Sequence, residues 1–208
     1  MKTIIMLSGK MRSGKNTFGG FLGEYYKRDS NSTVKHIELA FADELKLMCS
    51  EVFQPLLSYL NSIADNPAVS TLFPGLKTDK ANWWEPKTAV TRLLLQAVGT
   101  GIVRNIDDGY WTKAVIKKIE ASDAEVVVIT DARYPNEIEL IKKRGFRVVL
   151  VRISRNNCSE SSGHISETAL DDHPFDFVID NNGTKEELEQ KAIDFLKVNK
   201  LLIEDLKK

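Results

Sequence analysis

The chain has 208 residues, of which 42% are hydrophobic, and this length suits one substantial core and one domain with small insertions. Lysine plus arginine balances aspartate plus glutamate at 29 each, so zero net charge excludes a general attraction to nucleic acid or an anionic membrane, and any anion site must be local. Two cysteines, Cys49 and Cys158, cannot form a disulfide framework, and no apolar run reaches the roughly 20 residues that span a bilayer, so we expect a soluble cytoplasmic protein.

The first part of the chain predicts strands and helices in alternation. Residues 3–7 form a short apolar run that ends at a serine and a glycine, as in a strand buried on both faces. Apolar side chains recur at three- and four-residue spacing from Gly14 to about Arg28, which predicts a helix. A second strand is expected over residues 34–39, after a cluster of turn residues, and a second helix from Asp43.

The middle of the chain predicts helices beside an irregular segment. Residues 61–80 contain two prolines, one glycine and little periodicity, which is typical of an insertion or a hinge. Pro86 suits the first turn of a helix that runs to about Arg104. The Asp-Asp-Gly sequence at 107–109 predicts the start of another helix, which continues through Ile119.

The last part of the chain alternates strands and helices again. Residues 125–130 form the clearest buried strand, a helix is expected over 136–144, and further strands over 146–153 and 175–179. The sequence from Thr184 to Glu187 is a capping-box pattern that opens a terminal helix. This alternation predicts an α/β fold with a five-stranded, mainly parallel sheet, whose ligands bind at the carboxyl ends of the strands.

The segment Ser8–Phe18 reads SGKMRSGKNTF and carries the spacing Gly9-x-x-x-x-Gly14-Lys15. In a phosphate-binding loop with this spacing, backbone N–H groups surround the β-phosphate, and the lysine bridges the β- and γ-phosphates at the positive end of the next helix. A tight turn with an incidental lysine is the alternative, but the strand before and the helix after favour a nucleotide site. The candidate ATP-binding residues here are Gly9, Lys10, Met11, Ser13, Gly14, Lys15, Asn16 and Thr17.

Asn16 stands where a hydroxyl normally helps to hold Mg²⁺, and the hydroxyl comes one place later, at Thr17. The side-chain carbonyl of an asparagine can ligate Mg²⁺, directly or through water, although it binds more weakly than a carboxylate. Asp131 follows the strand over 125–130 and is the second candidate ligand, since strand ends of a parallel sheet share one edge. The motif therefore predicts a nucleotide site with altered metal chemistry.

Several stretches, in order, resemble the phage deoxynucleoside monophosphate kinases. These are LSGKMRSGKNT in the loop, RLLLQAVGTGIVRNIDDGYWTKAV over 92–115, VVVITDARYPNEIE over 126–139, HISETAL over 164–170 and FVIDNNGTKEEL over 177–188. The chain departs from the family at Asn16, where an acidic residue is usual, and over residues 50–85, so base selectivity does not carry over.

The resemblance implies a P-loop NTPase fold and transfer of the γ-phosphoryl group of ATP to a 5′-deoxynucleoside monophosphate, with Mg²⁺. It also implies a core at about 1–40 and 122–208, a helical acceptor-binding region at about 41–121, and a lid at about 154–174. If a phage encodes the chain, the compartment is the host cytoplasm. A homodimer, the accepted bases and the tolerance for ribose are left open.

Phosphoryl transfer between two polyanions requires cations to converge where charge moves. Arg12 lies within the loop, and a guanidinium at Arg133 can bind two oxygens of the acceptor phosphate at once. A solvated Arg12 and a local Asp131–Arg133 ion pair are the alternatives. The predicted catalytic residues are Lys15, Arg12, Asp131 and Arg133.

The predicted acceptor-binding residues are Lys46, Arg92, Gln96, Trp111 and Arg133. Lys46 ends a Phe-Ala-Asp-Glu-Leu-Lys segment that looks like an acceptor segment of several small-molecule kinases. Arg92 and Gln96 lie four apart on one helical face. Trp111 offers an aromatic face for a base, with core packing as the alternative.

The stretch from Ser154 to Pro174 joins two strands through mostly polar residues, and loops this long are usually functional. A lid that closes over the donor phosphates would exclude water, with Arg152 and Arg155 flanking its start. Asn182 and Gly183 belong to a loop that resembles the adenine-packing loop of monophosphate kinases.

Two other functional classes remain alternatives. A related P-loop kinase acting on a substrate such as dephospho-coenzyme A shares the loop and the lid. A nucleotide-dependent switch or a motor subunit is less favoured, because base-specifying motifs are missing and Ala132, rather than a glutamate, follows Asp131.

Overall fold

The computed structural model describes residues 1–28, 34–63, 66–72, 89–156, 158 and 165–206. Within these ranges the strands form one parallel sheet in the order β2-β3-β1-β4-β5. Its strands are β1 (Thr3–Ser8), β2 (His36–Leu39), β3 (Val126–Ile129), β4 (Arg147–Ser154) and β5 (Phe177–Asp180). Helices flank the sheet, so the predicted α/β fold with five parallel strands is confirmed.

The described helices lie between and after these strands along the chain. They are α1 (Lys15–Arg28), α2 (Phe41–Ser62), α3 (Pro67–Leu72), α4 (Ala89–Gln96), α5 (Arg104–Ile106), α6 (Tyr110–Ala121), α7 (Pro135–Lys142), α8 (Lys185–Val198) and α9 (Ile203–Leu206). A π-helical segment, Ala97–Val103, continues α4 into α5, and a 3-10 turn covers Ile165–Glu167.

Part of the irregular segment expected over residues 61–80 is helical, so that expectation was wrong there. α2 extends to Ser62, and Pro67 begins α3. Asn66 explains this start, because its side-chain oxygen accepts the Ala68 N–H at 2.9 Å and its backbone carbonyl accepts the Ser70 N–H at 3.0 Å. The expected start of a helix at Pro86, like residues 64–65 and 73–80, lies outside the described residues.

The hydrophobic core lies around the central strand and two helices. Every residue of β1 and of β3 is buried. The Phe18 ring packs edge-on against Phe195 with centroids 5.9 Å apart, and Phe177 packs against Phe195 at 5.2 Å, which joins α1, α8 and β5. The Thr184 hydroxyl accepts the Glu187 N–H at 3.2 Å, so the predicted N-terminal cap of α8 is confirmed.

The chain divides into two compact units: Met1–Phe41 with Thr112–Lys208, and Ala42–Trp111. The first unit contains the whole sheet. The second has its own apolar cluster around the buried Cys49 and Leu95. Both cysteines carry free thiols, and among the described residues no helix is long and apolar enough to cross a membrane.

The strand register brings the ends of the strands to one edge of the sheet. Ser8 at the end of β1 pairs with Arg152 on β4, and Ser154 at the end of β4 pairs with Asp180 on β5. The segment after β1 therefore meets residues that follow β3, β4 and β5. The candidate site of the first unit lies at this edge.

Candidate functional site

The loop after β1 depends on two glycines with positive φ. Gly9 has φ 146° and Gly14 has φ 100°, which other residues rarely adopt. A Cβ on Gly9 would lie 2.3 Å from the Ile153 carbonyl oxygen, and a Cβ on Gly14 would lie 2.2 Å from Nδ2 of Asn181. The loop therefore packs directly against residues of neighbouring strand ends.

Lys15 begins α1 and turns its ammonium group back over the loop. Its Nζ donates to the carbonyl oxygens of Gly9 and Lys10, both at 2.7 Å, and the residue is 8% exposed. Burial, and next the positive charge of Arg133, lower the pKa of Lys15 to about 8, against raising effects from Glu167, Asp131 and Cys158. Lys15 is thus a poorly hydrated cation for which an anion would be a favourable partner.

Arg12 adopts a left-handed backbone conformation with φ 64°. This conformation costs a non-glycine residue about 1 kcal/mol. The Arg12 side chain is exposed at the rim of the loop, and no hydrogen bond or ion pair joins it to another described residue. An exposed guanidinium beside the loop fits the predicted catalytic role, which stays a prediction.

The turn after β3 is fixed by hydrogen bonds to buried groups. Asp131 Oδ1 accepts the Phe41 N–H at 2.7 Å. The Glu137 carboxylate, only 2% exposed, accepts the backbone N–H groups of Arg133 at 2.8 Å and Tyr134 at 3.0 Å. Charged hydrogen bonds of this kind are among the stronger ones, so they hold the backbone that carries Asp131 and Arg133.

The guanidinium of Arg133 reaches the 3-10 turn in the predicted lid. It donates to the Ser166 carbonyl oxygen at 3.3 Å and forms an ion pair with Glu167 Oε1. The other oxygen of Glu167 accepts the Met11 N–H of the loop at 3.2 Å. A lid carboxylate therefore joins the loop to the end of β3.

A second acidic side chain joins the lid to the loop and to β4. Asp171 accepts from Lys10 Nζ at 2.5 Å and from an Arg152 guanidinium nitrogen at 2.6 Å. Hydrogen bonds from Arg152 and then Lys10 lower the pKa of this carboxyl. Arg152 also donates to the Leu170 carbonyl oxygen at 2.8 Å and lies 5.4 Å from the centroid of the Phe175 ring.

The segment after β5 supports the loop from the other side. Asn181 is buried, and its Nδ2 donates to the Ser13 carbonyl oxygen at 2.8 Å. Asn182 Oδ1 accepts the Asn156 N–H at 2.7 Å, which connects this segment to the start of the lid. Gly183 and Arg155 are exposed. Asn181 thus packs directly against the loop, and the ATP-binding roles of Asn182, Gly183 and Arg155 stay predictions.

The buried polar groups of the loop fit a phosphate. The Ser13 side chain is 1% exposed, and its hydroxyl oxygen has no hydrogen-bond partner among the described residues. The glycines let the loop pack closely against Ile153 and Asn181, and Lys15 supplies the positive charge. Strand-to-helix loops with these features bind phosphates through backbone N–H groups and the helix N-terminus.

The comparisons with known proteins identify the family. The sequence pattern of deoxynucleotide monophosphate kinases matches residues 71–192, which is more than half of the chain. This chain belongs to the deoxynucleotide monophosphate kinase family. The resemblance inferred from the sequence is therefore confirmed, although the matched residues begin after the loop.

Individual members of the kinase family align over different lengths. The deoxynucleotide monophosphate kinase of Escherichia phage RB69 is 35% identical over 104 residues, which cover 48% of this chain and 42% of that protein. The enzyme of the same name from Enterobacteria phage T4 is 33% identical over 126 residues, covering 58% and 51%. The chain thus spans about half the length of these relatives. A protein of Acanthamoeba polyphaga mimivirus is 29% identical over 206 residues, covering 91% and 94%.

The candidate acceptor residues of the family, apart from Arg133, lie in or at the end of the second unit. Lys46 donates to Asp43 Oδ1 at 2.9 Å within its own helix, Arg92 is exposed and Gln96 is half-buried. Trp111 is 3% exposed, and its Nε1 donates to the Gly99 carbonyl oxygen at 3.3 Å. Their role in binding the acceptor stays a prediction. The division of the domain into a core, an acceptor-binding region and a lid stays a prediction as well.

Sequence reasoning missed three side chains of this site, Glu137, Glu167 and Asp171, and named Asn181 only as part of the loop that resembles the adenine-packing loop. Asn181 directly precedes the predicted Asn182, and Glu167 lies inside the HISETAL stretch, so both were within recognised segments. Asp131 was the only acidic residue predicted for the site, and the carboxylates of Glu137, Glu167 and Asp171 were not recognised. Their actual partners are the cations and N–H groups of the loop edge.

Proposed function

We propose that this protein transfers the γ-phosphoryl group of ATP to a 5′-deoxynucleoside monophosphate, forming ADP and the diphosphate. Family membership supports this reaction class. The observation that carries the proposal is the neighbourhood of Lys15, where the charges of Arg133 and Asp131 affect the pKa of a buried lysine in a phosphate-binding loop. Cations and a carboxylate from two strand ends are thus within electrostatic reach of one another.

In this proposal each residue near the loop has a separate task. The loop N–H groups and the Ser13 hydroxyl bind the donor phosphates, and Lys15 stabilises negative charge on the oxygens of the transferring group. Arg133 binds the acceptor phosphate, since its planar guanidinium can donate to two oxygens. Arg12, at the exposed rim, and Arg152 and Arg155, at the start of the lid, supply further positive charge to the donor.

The oxygen donors at the loop fit Mg²⁺. No group of three or more His, Cys, Asp or Glu side chains is arranged to hold a metal in the described ranges, but Mg²⁺ in kinases needs only one or two protein oxygens besides phosphates and water. We propose that Asn16, exposed in the first turn of α1, and Asp131 hold the ion, directly or through water. Bound Mg²⁺ would neutralise charge on the phosphates.

The test of this function is a coupled assay of ADP release from ATP and Mg²⁺. The acceptor panel contains dTMP, dGMP, dCMP, dAMP, their ribose forms and dephospho-coenzyme A. Turnover on one or more deoxynucleotides supports the proposal and defines the base preference. Turnover on dephospho-coenzyme A alone would assign the chain to another class of P-loop kinase.

The metal assignment has its own test in two variants at Asn16. Asn16→Asp should lower the Mg²⁺ concentration needed for half-maximal activity, because a carboxylate binds the ion more strongly, and Asn16→Ala should raise it. The comparison is a Mg²⁺ titration at fixed ATP. An identical Mg²⁺ dependence in both variants and in the original protein would remove Asn16 from the metal site.

A further inference from the structure

Glu167 occupies two groups that a phosphate would need. Its Oε1 is paired with the Arg133 guanidinium, and its Oε2 accepts the Met11 N–H at 3.2 Å. Arg133 is the proposed ligand of the acceptor phosphate, and the Met11 N–H belongs to the phosphate loop. The Glu167 side chain is only 12% exposed, so its charge is largely withdrawn from water and depends on these partners.

Contacts on either side fix the position of this carboxylate. Lys10 Nζ donates to the Glu167 carbonyl oxygen at 2.8 Å, and Arg133 also donates to the carbonyl oxygen of Ser166 at 3.3 Å. The carboxylate also lies within electrostatic reach of Lys15, whose pKa it raises against the larger lowering by burial. The negative charge of Glu167 thus lies close to the Met11 N–H, the Arg133 guanidinium and Lys15, all three of which belong to the proposed phosphate site.

A phosphate oxygen and this carboxylate compete for those groups. A backbone N–H makes one well-aligned hydrogen bond, so either Glu167 or a phosphate oxygen accepts from Met11. Two anions brought to the same guanidinium from adjacent positions also repel, most strongly where water is largely excluded. Binding of a phosphate at this position therefore requires Glu167 to move away.

We propose that Glu167 is a built-in competitor of a nucleotide phosphate: its carboxylate holds the Met11 N–H and the Arg133 guanidinium until a phosphate of the donor or of the acceptor displaces it. The inference rests on the proposed function, because it assigns these groups to phosphate binding. Displacement would exchange contacts between lid and loop for contacts with the substrate. The position of the lid is then coupled to occupancy of the site.

If Glu167 helped substrate binding instead of competing with it, its removal would change nucleotide affinity in the opposite direction. If the carboxylate only oriented Arg133 toward a substrate, its removal would weaken nucleotide binding. If it competes, neutralising it should strengthen binding. Glu167→Gln keeps the shape of the side chain and an oxygen that can accept the Met11 N–H, but it removes the charge that pairs with Arg133.

The experiment is isothermal titration calorimetry on the full chain and on Glu167→Gln. The donor arm uses a non-hydrolysable ATP analogue, the acceptor arm uses a deoxynucleoside monophosphate alone, and a third arm uses inorganic tripolyphosphate, which carries no base. Asp172→Asn is the matched control, because it makes the same change of charge at an exposed residue of the lid next to Asp171. We expect Glu167→Gln to lower Kd by about three- to tenfold relative to that control in at least one arm.

The three arms distinguish a donor phosphate from an acceptor phosphate as the displacing group. They also test the competitor role of Glu167 separately from the proposed kinase reaction. Tighter binding of the ATP analogue and tripolyphosphate would identify the donor as the displacing group, and tighter binding of the monophosphate would identify the acceptor. Equal or weaker binding by Glu167→Gln in every arm overturns the competitor role. Failure of the kinase assay together with tighter tripolyphosphate binding would leave the competition intact and reject the proposed reaction.

Discussion

The phosphate loop and the lid turn that lies against it are held by different forces. The loop is fixed by its backbone: two glycines have positive φ, and Asn181 donates a neutral hydrogen bond to the Ser13 carbonyl oxygen. The lid turn is held largely by charge, through Glu167 and Asp171. A loop fixed by its backbone is thus held against a segment whose contacting side chains are anionic.

Because of this difference, the fold fixes the conformation of the loop, whereas a bound substrate can change the contacts of the lid turn. Backbone conformation and buried hydrogen bonds respond little to salt or to added phosphate. Ion pairs at partly exposed positions are screened by salt and compete with other anions. Substitutions in the loop should therefore damage chemistry or folding, whereas substitutions in the lid should shift affinities.

Replacing the loop lysine should have the largest effect. Lys15→Met removes the cation proposed to stabilise the transferring phosphoryl group, so kcat should fall by about 10²–10³-fold or more. The same change removes a poorly hydrated charge, so thermal stability at neutral pH should stay equal or rise. Turnover and the unfolding midpoint of the purified variant check both results. Near-normal turnover would reject the role of this lysine.

Adding a methyl group at the second loop glycine should reduce stability. Gly14→Ala forces an L-residue to φ 100° and brings its Cβ to 2.2 Å from Asn181, so we expect a loss of about 2–4 kcal/mol in the free energy of unfolding. Gly20→Ala is the control, because a Cβ there meets nothing within 4 Å in the middle of α1 and should stabilise the helix. Denaturant unfolding of both variants measures the difference. Equal free energies of unfolding for Gly14→Ala and Gly20→Ala would contradict the close packing of Gly14 against Asn181.

Shortening the residue that supports the loop should have an intermediate effect. Asn181→Ala leaves the Ser13 carbonyl oxygen without its buried donor, which costs about 1–3 kcal/mol of stability. Because the loop backbone would loosen, KM for ATP should rise more than kcat falls. Gln190→Ala, which shortens an exposed amide side chain on α8, serves as the control. If Asn181→Ala and the control variant changed stability and KM for ATP equally, the hydrogen bond to the Ser13 carbonyl oxygen would not be what supports the loop.

Neutralising the second acidic residue of the lid should have the smallest effect. Asp171→Asn weakens two ion pairs at partly exposed side chains, so stability should change by less than about 1 kcal/mol. The variant should also show a stronger dependence of ATP affinity on salt, since Lys10 and Arg152, no longer paired with a carboxylate, attract the phosphates more strongly. Binding titrations at low and high salt provide the measurement. A salt dependence unchanged from the original protein would argue against competition between Asp171 and the substrate.

Local patterns predicted the sheet and the loop correctly. The strands were recognisable because buried strands of a parallel sheet are continuous apolar runs, as at β1 and β3, and the glycine-lysine spacing of the loop is contiguous in sequence. The π-helical segment Ala97–Val103 was missed because it continues a helical pattern without a distinct signal of its own. The start of α3 depended on a single capping residue, Asn66, in a segment rich in helix-breaking residues.

The supporting contacts of the site could not be predicted in the same way. Met11 and Glu167 meet only because the turn Ile165–Glu167 packs against the loop after β1, and nothing in their spacing indicates this. Glu137 resembles an ordinary helix residue in the sequence, yet its burial makes it the acceptor for two backbone N–H groups. Residue type identified the groups proposed to bind phosphate, and tertiary packing determined what holds them.

The most direct test of the loop as the ATP site is the pH dependence of ATP affinity. The lowered pKa of Lys15, about 8, means that the side chain loses its proton as pH rises through that value, so the charge that attracts the phosphates is present below pH 8 and lost above it. Calorimetric titration at about pH 7.5 and pH 9.5 should show at least about tenfold weaker binding at the higher pH, and Lys15→Met should bind weakly at both. Equal affinity of the two proteins at both pH values would contradict the account.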